Sequence, residues 1–245
     1  MGLNTSATNR LSRRSFIGAS SAVAAAGAVG LFPTLAAGQQ PATHKESQQP
    51  AFSGLIKNPA HAKQVYDITA IGAGKFLNNI KNSLNGLQFG FGIASSQIKV
   101  VAALHGPSNM LNYSDYVWDK YKLGEWLKVD DPKTGKPATR NVFLPAKTSN
   151  VPAPKAEDME DESSWFQDTS IQTLQSRGVQ FLSCHTAALE QSRALAKLPG
   201  QTLAAGDILS DILAHVLPGV LIVPSMVAAI ALLQTEGHYS YITIS

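Results

Sequence analysis

The four residues Val220-Leu221-Ile222-Val223 constrain the fold more than any other part of the chain. All are apolar, and they lie between Pro218-Gly219 and Pro224-Ser225, both of which interrupt regular structure. A strand with one wet face alternates apolar and polar side chains. An unbroken apolar run is what a parallel sheet demands when helices cover both of its faces. The expectation is a strand inside such a sheet, and an α/β protein around it.

The rest of the chain supports this by alternating strand and helix signals. Residues 63–68, 98–104, 179–183 and 239–244 read as four further strands. Phe76, Leu77, Ile80, Leu84 and Leu87 recur at helical spacing over 75–90. Ser114 is placed to cap a helix carrying Val117, Trp118 and Tyr121 and closed by Gly124. Ile171 and Leu174 mark a helix ended by Gly178. Thr186 caps one over 187–198, and Asp207 caps another carrying Ile208, Leu209, Ile212, Leu213, Val216 and Leu217. Ser225 opens the last, through Val227, Ile230 and Leu233 to Gly237. Five strands joined by helical crossovers imply right-handed βαβ units and a doubly wound, mainly parallel sheet.

Three segments stand outside this pattern. Arg13-Arg14 lies within Ser12-Arg13-Arg14-Ser15-Phe16-Ile17, follows Arg10, and precedes an Ala/Gly/Val-rich stretch to about Leu35. Residues 1–38 thus resemble a twin-arginine export signal, which implies passage through the twin-arginine translocase to the periplasm. The stretch is weakly apolar and interrupted by Pro33, which argues against a retained membrane anchor. Residues 39–60 are polar and aperiodic and read as a linker. The domain is then 61–245, with a surface insertion or lid at 128–165 that holds the acidic run between Glu157 and Glu162. Three of the 20 basic residues and none of the 17 acids fall in 1–38, so the remainder is electrically balanced. Nothing in that balance favours nucleic acid as a partner.

Ligands of open α/β sheets gather beyond the carboxyl ends of the strands. Three such ends carry residues with chemistry: His105-Gly106-Pro107-Ser108-Asn109, Cys184-His185-Thr186 and Pro224-Ser225-Met226. Cys184 is the only cysteine, so it makes no internal disulfide. It stands where a strand gives way to a helix, and a helix N-terminus favours thiolate. Free cysteine is also among the residues most often buried. Position alone leaves both readings open. His185 is adjacent, but neighbours on an extended chain point to opposite faces, so His105 is the better-placed proton acceptor for Cys184. A turn-anchoring role accounts for His105 equally well. Asn109, Thr186 and Ser225 could donate to a bound anion, though turns and caps explain them too.

Several classes lack their sequence marks. Gly72-Ala73-Gly74-Lys75 lacks the spacing of a P-loop, and no G-x-G-x-x-G follows the first strand. His215 and His238 are isolated, no zinc spacing occurs, and there is neither a G-x-S-x-G elbow nor a haem-attachment motif. No metal and no cofactor is expected.

The stretch from Arg177 through Gly178-Val179-Gln180-Phe181-Leu182-Ser183-Cys184-His185 to Thr186 is similar to a strand and turn of DsrE/DsrF-like proteins. Leu217-Pro218-Gly219 with the apolar run after it, Leu233-Gln234-Thr235-Glu236-Gly237 and Tyr239-Ser240-Tyr241-Ile242 resemble that family's carboxyl-terminal pattern. Residues 98–107 resemble its second strand and His-Gly-Pro turn. The likeness covers 62–126 and 166–244. It implies a three-layer α/β/α sandwich that assembles into homo-oligomers. It also implies sulfur handling, with Cys184 carrying sulfur as a persulfide between a donor and an acceptor protein. The export signal and the 128–165 insertion depart from the family pattern.

Overall fold

The computed structural model describes residues 45–146 and 165–244. Its strands are β1 (Ala62–Ile68), β2 (Ile98–Leu104), β3 (Gln180–Cys184), β4 (Leu221–Val223) and β5 (Ser240–Ile244). Every pairing is parallel, in the order β4-β3-β2-β1-β5. The helices are α1 (Lys45–Ile56), α2 (Lys75–Asn85), α3 (Asp115–Lys120), α4 (Leu123–Leu127), α5 (Ile171–Ser176), α6 (His185–Leu195), α7 (Ala205–Ala214) and α8 (Met226–Thr235). With helices on both faces of the sheet, the protein is an α/β sandwich of three layers.

The period-two geometry of the strands sorts their side chains between two cores. Tyr66, Ile68, Ala102, Leu104 and Phe181 face a cluster that includes Phe76 and Ile80 of α2, Leu174 of α5, and Ile208 and Ile212 of α7. Val65, Val101, Ala103, Leu182 and Cys184 face the other, built with Met226, Ile230 and Leu233 of α8 and Leu55 of α1. Buried residues therefore line both faces of β1 and β2, as the parallel arrangement requires.

The run at 220–223, read from sequence as an interior strand, lies at one edge of the sheet. Its apolar character has a different cause. α1 packs against β4 and α8, and the Tyr239 hydroxyl donates to the Leu55 carbonyl at 2.9 Å. The 39–60 segment is consequently not a linker throughout: 45–56 is helical, and Leu55 and Ala60 are buried. Its Gln/Ser-rich composition hides the few apolar residues, Phe52, Leu55 and Ile56, that dock it. Residues 39–44, and residues 1–38 with the expected export signal, lie outside the described residues.

Local boundaries also differ. Cys184, rather than Thr186, is the residue before α6, and Ala204, rather than Asp207, precedes α7. Ser114 does precede α3, but its hydroxyl makes no capping bond. The helix expected to close at Gly124 closes earlier, where Lys122 adopts a left-handed conformation. Gly124 instead sits inside α4 because the backbone of Ala138 passes where a Cβ would stand.

That contact changes the reading of 128–165 as well. Ala138 and Asn141 are buried. The Asn141 carboxamide donates to the Leu111 carbonyl at 2.8 Å, and the first N–H groups of α5, from Ile171 and Gln172, donate to the Phe143 and Leu144 carbonyls. Residues 128–146 are part of the domain and not a detachable lid. The remainder of the insertion that includes the acidic run, 147–164, lies outside the described residues.

Three predictions follow from this packing. Gly124→Ala forces overlap with the Ala138 backbone and should cost about 1–3 kcal/mol or more in urea unfolding. Gly206→Ala in α7 meets open space and should gain roughly 0.4–1 kcal/mol by restricting the unfolded chain. The third prediction concerns acid. Asp211 of α7 accepts from Lys120 at 2.8 Å and from the Tyr121 hydroxyl at 2.7 Å, tying α7 to the end of α3. Burial pushes the Asp211 carboxyl up, but those bonds and the Lys120 charge outweigh it, and its pKa falls below the ordinary value. A depressed folded pKa gives stability that is present above the unfolded value of ~3.9 and is lost as pH falls through the folded one. Asp211→Asn should therefore lower the melting temperature at neutral pH and leave a shallower acid limb in a melting-temperature-against-pH series.

Candidate functional site

Parallel pairing puts the carboxyl ends of all five strands at one edge of the sheet, and four titratable side chains share one face there. Asp67 of β1 pairs in register with Ala103 of β2, so His105, two residues beyond Ala103, is on the same face. Backbone angles of φ −146° and ψ 178° at His105 keep the chain extended and preserve that alternation. Leu182 of β3 is also paired with Ala103, which sets Cys184 beside His105 one strand further. Tyr241 of β5 is paired with Val65, two residues before Asp67. The four run obliquely across β5, β1, β2 and β3.

Hydrogen bonds connect three of them. His105 Nε2 lies 2.6 Å from Asp67 Oδ1, and the Tyr241 hydroxyl donates to Asp67 Oδ2 at 2.6 Å. The His105 and Asp67 side chains are 22% and 17% exposed, so solvent reaches both. The bond to Asp67, and then burial, hold the Tyr241 phenol above its ordinary pKa, which keeps the proton on tyrosine. Asp67 and Tyr241 were not anticipated. An acid flanked by Tyr66 and Ile68 in an otherwise apolar strand end was the available signal for Asp67.

Cys184 is only 5% exposed and belongs to the apolar cluster under α8 and α1. Its Sγ accepts the Ala187 N–H at 3.4 Å, as a capping side chain does in the first turn of α6. Among the described residues, no hydrogen bond joins the thiol to His105.

Asn109 has a different role from the expected ligand donor. It is fully buried, and its carboxamide fills the gap where β2 and β3 separate. Oδ1 accepts the Cys184 N–H at 2.9 Å and the Ser183 hydroxyl at 3.0 Å. Nδ2 reaches Gln191 Oε1 at 3.1 Å, the Tyr113 hydroxyl at 3.3 Å and the Cys184 carbonyl at 3.4 Å. Gln191 Nε2 in turn donates to the Gly106 carbonyl at 2.6 Å. Burial pushes the Tyr113 phenol up to about 12, so it stays neutral within this network. The capacity of Asn109 is spent on holding Cys184 and the turn after His105.

Thr186 and Ser225 meet at the neighbouring strand ends. The exposed Thr186 hydroxyl donates to the Pro224 carbonyl at 2.9 Å, joining α6 to the turn before α8. Ser225 precedes α8 without a capping bond. The expected residues are thus brought to one edge, where His105 and Ser225 are partly exposed, Cys184 and Asn109 are buried, and Thr186 braces the turn before α8. A cleft of about 480 Å³ opens at this edge, lined by Gly106 and Pro107, by Trp126 and Lys128, and by Ala187 and Glu190 of α6.

Among the described residues no cluster of His, Cys, Asp and Glu is arranged to hold a metal ion. None of their helices is long and apolar enough to cross a membrane. Comparison with protein-family models, with curated proteins and with solved structures gives no match to this chain.

Removing the Asn109 carboxamide leaves the Cys184 N–H without its acceptor and Gln191 Oε1 without its donor, while the Ser183 hydroxyl keeps Tyr113. Each orphaned group costs about 1–3 kcal/mol. Asn109→Leu should therefore lose at least ~2 kcal/mol in denaturant unfolding.

Proposed function

We propose that the chain is an exported, DsrE-like α/β protein that holds sulfur as a persulfide on Cys184. The observation that carries this reading is the Ala187 N–H directed at Sγ from the first turn of α6. The partial positive charge of a helix N-terminus stabilises an anionic sulfur there, whether thiolate or persulfide. His105, beside Cys184 on the same face, is the proton acceptor. The thiolate attacks the terminal sulfane sulfur of a polysulfide. A new S–S bond forms on Cys184, the bond behind the transferred sulfur breaks, and the shortened polysulfide leaves with the electron pair.

In this proposal residues 1–38 direct the domain through the twin-arginine translocase to the periplasm, where a sulfur-donor or acceptor protein is its partner. Homo-oligomer formation belongs to the same reading. It is supported by the outer face of α8, where Val227 and Leu232 are exposed without a charged residue in the helix.

A second reading has its own observation. With 5% exposure inside an apolar cluster, Cys184 also fits a structural residue in a non-catalytic ligand-binding or assembly module. Polysulfide treatment of the mature protein followed by intact-mass measurement separates the two. Sulfur-mass increments that vanish in Cys184→Ser are expected. A thiol that takes up no sulfur and reacts with alkylating reagents only after denaturation would establish the structural role instead.

A further inference from the structure

Asp67 is the penultimate residue of β1, between Tyr66 and Ile68, both buried on the opposite face. Each of its oxygens accepts from a different neighbour: Oδ1 faces His105 Nε2 and Oδ2 faces the Tyr241 hydroxyl, both at 2.6 Å. A carboxylate accepts and does not donate, so the proton of the first bond must reside on His105 Nε2. In neutral imidazole the lone pair is then on Nδ1, for which no bond is formed among the described residues.

Three features define what that nitrogen can meet. Cys184 follows Leu182 by two residues as His105 follows Ala103, so the two share a face just beyond the point where β2 and β3 stop pairing. The Asn109 carboxamide fixes the Cys184 backbone through both its N–H and its carbonyl. Ser108 fixes the other side, its hydroxyl reaching the Ile68 carbonyl at 2.6 Å and the His105 carbonyl at 2.8 Å. The buried residues that α8 and α1 send toward this face are Met226, Ala229, Ile230, Leu233 and Leu55, none of them charged. Of the titratable groups on this face, Asp67, Tyr241 and Cys184 stand nearest the carboxyl edge with His105, while Tyr239, Lys63 and Lys99 lie at the amino ends of the strands.

We propose that Asp67, held from its far side by Tyr241, is a positioning residue that fixes His105 with its proton on Nε2 and its Nδ1 lone pair directed to the Cys184 thiol. The order is carboxylate, imidazole, thiol, which is the arrangement of a cysteine nucleophile with an oriented base. The thiol proton passes to Nδ1, the sulfur keeps the electron pair, and the imidazolium so formed remains hydrogen-bonded to Asp67. Activation of the thiol rests on the cysteine chemistry proposed above. The tautomer of His105 does not.

The experiment compares the mature wild-type protein with Asp67→Asn and Asp67→Glu. Isotope-edited NMR of the imidazole nitrogens reads the His105 tautomer, and iodoacetamide alkylation of the native protein reads Cys184. Wild type should carry the proton on Nε2. An asparagine can turn its amide N–H toward the ring, so Asp67→Asn should move the proton to Nδ1 and slow alkylation by about tenfold or more, since a positioned base contributes ~10²–10⁴. Asp67→Glu retains a carboxylate and should recover the Nε2 tautomer and part of the rate, which excludes misfolding as the cause. A wild-type ring protonated on Nδ1, or a tautomer indifferent to Asp67→Asn, overturns the proposal. So does a switched tautomer with an unchanged alkylation rate. Failure of polysulfide to load Cys184, with both dependences on Asp67 intact, would remove sulfur carriage and leave the positioning role standing.

Discussion

Parallel pairing of β2 with both β1 and β3 is the constraint on which everything else rests. It makes the strand directions agree, so chemistry carried at three separate strand ends must arrive at one edge. It also matches Asp67, Ala103 and Leu182 across the three strands, which decides that Asp67, His105 and Cys184 share a face. A slip of one residue in either pairing would turn one of them to the opposite core. The large apolar surfaces on both sides make such a slip expensive, because every strand residue would change environment together.

Where the ladder ends, a side chain replaces it. β2 and β3 stop pairing at Leu104 and Ser183, and the next residue, Cys184, has no ladder partner on β2. The Asn109 carboxamide accepts its N–H instead. A buried polar residue of this kind is tolerated only when its own groups are satisfied. Ser183, Gln191 and Tyr113 do that, and through Gln191 the network extends to the turn after His105. The core and the candidate site are therefore one hydrogen-bonded unit at this point. Asn109, fully buried, is bonded to the backbone of Cys184 through both its N–H and its carbonyl.

The strands were legible because their signal is a long apolar run or an alternation, and both survive in composition. Strand order was not, since any order of five such strands buries the same residues. The edge position of β4 shows the consequence: an apolar run demands cover on both faces but does not say what supplies it. Here α1 contributes, from a segment whose polar composition hid three docking residues. Helix starts were misassigned at Thr186 and Asp207 because a capping residue is defined by where the backbone leaves the extended state. Sequence names the residue types able to cap, but Cys184 and Ala204 took the positions. Gly124 was read as a stop when its requirement is tertiary: Ala138, distant in sequence, lies against it. Cys184 and His105 were visible as chemistry at strand ends. Asp67 was not, because it sits within a strand, where only the register reveals that it meets His105.

Stability alone does not account for the Tyr241–Asp67–His105 row. A partly buried carboxylate loses hydration, and its bonds to protein return little more than they replace, so well-packed apolar residues often serve a core as well or better. The sheet provides that option nearby: Val65 and Ala103 occupy the same face one step earlier in β1 and β2. What an apolar pair cannot provide is an imidazole with a defined tautomer and ring orientation. A carboxylate bonded on both oxygens supplies this, because rotation to release His105 would also break the bond to Tyr241. The row is therefore better understood as a device for holding His105 than as part of the packing, and the residue it holds His105 beside is the only thiol in the chain.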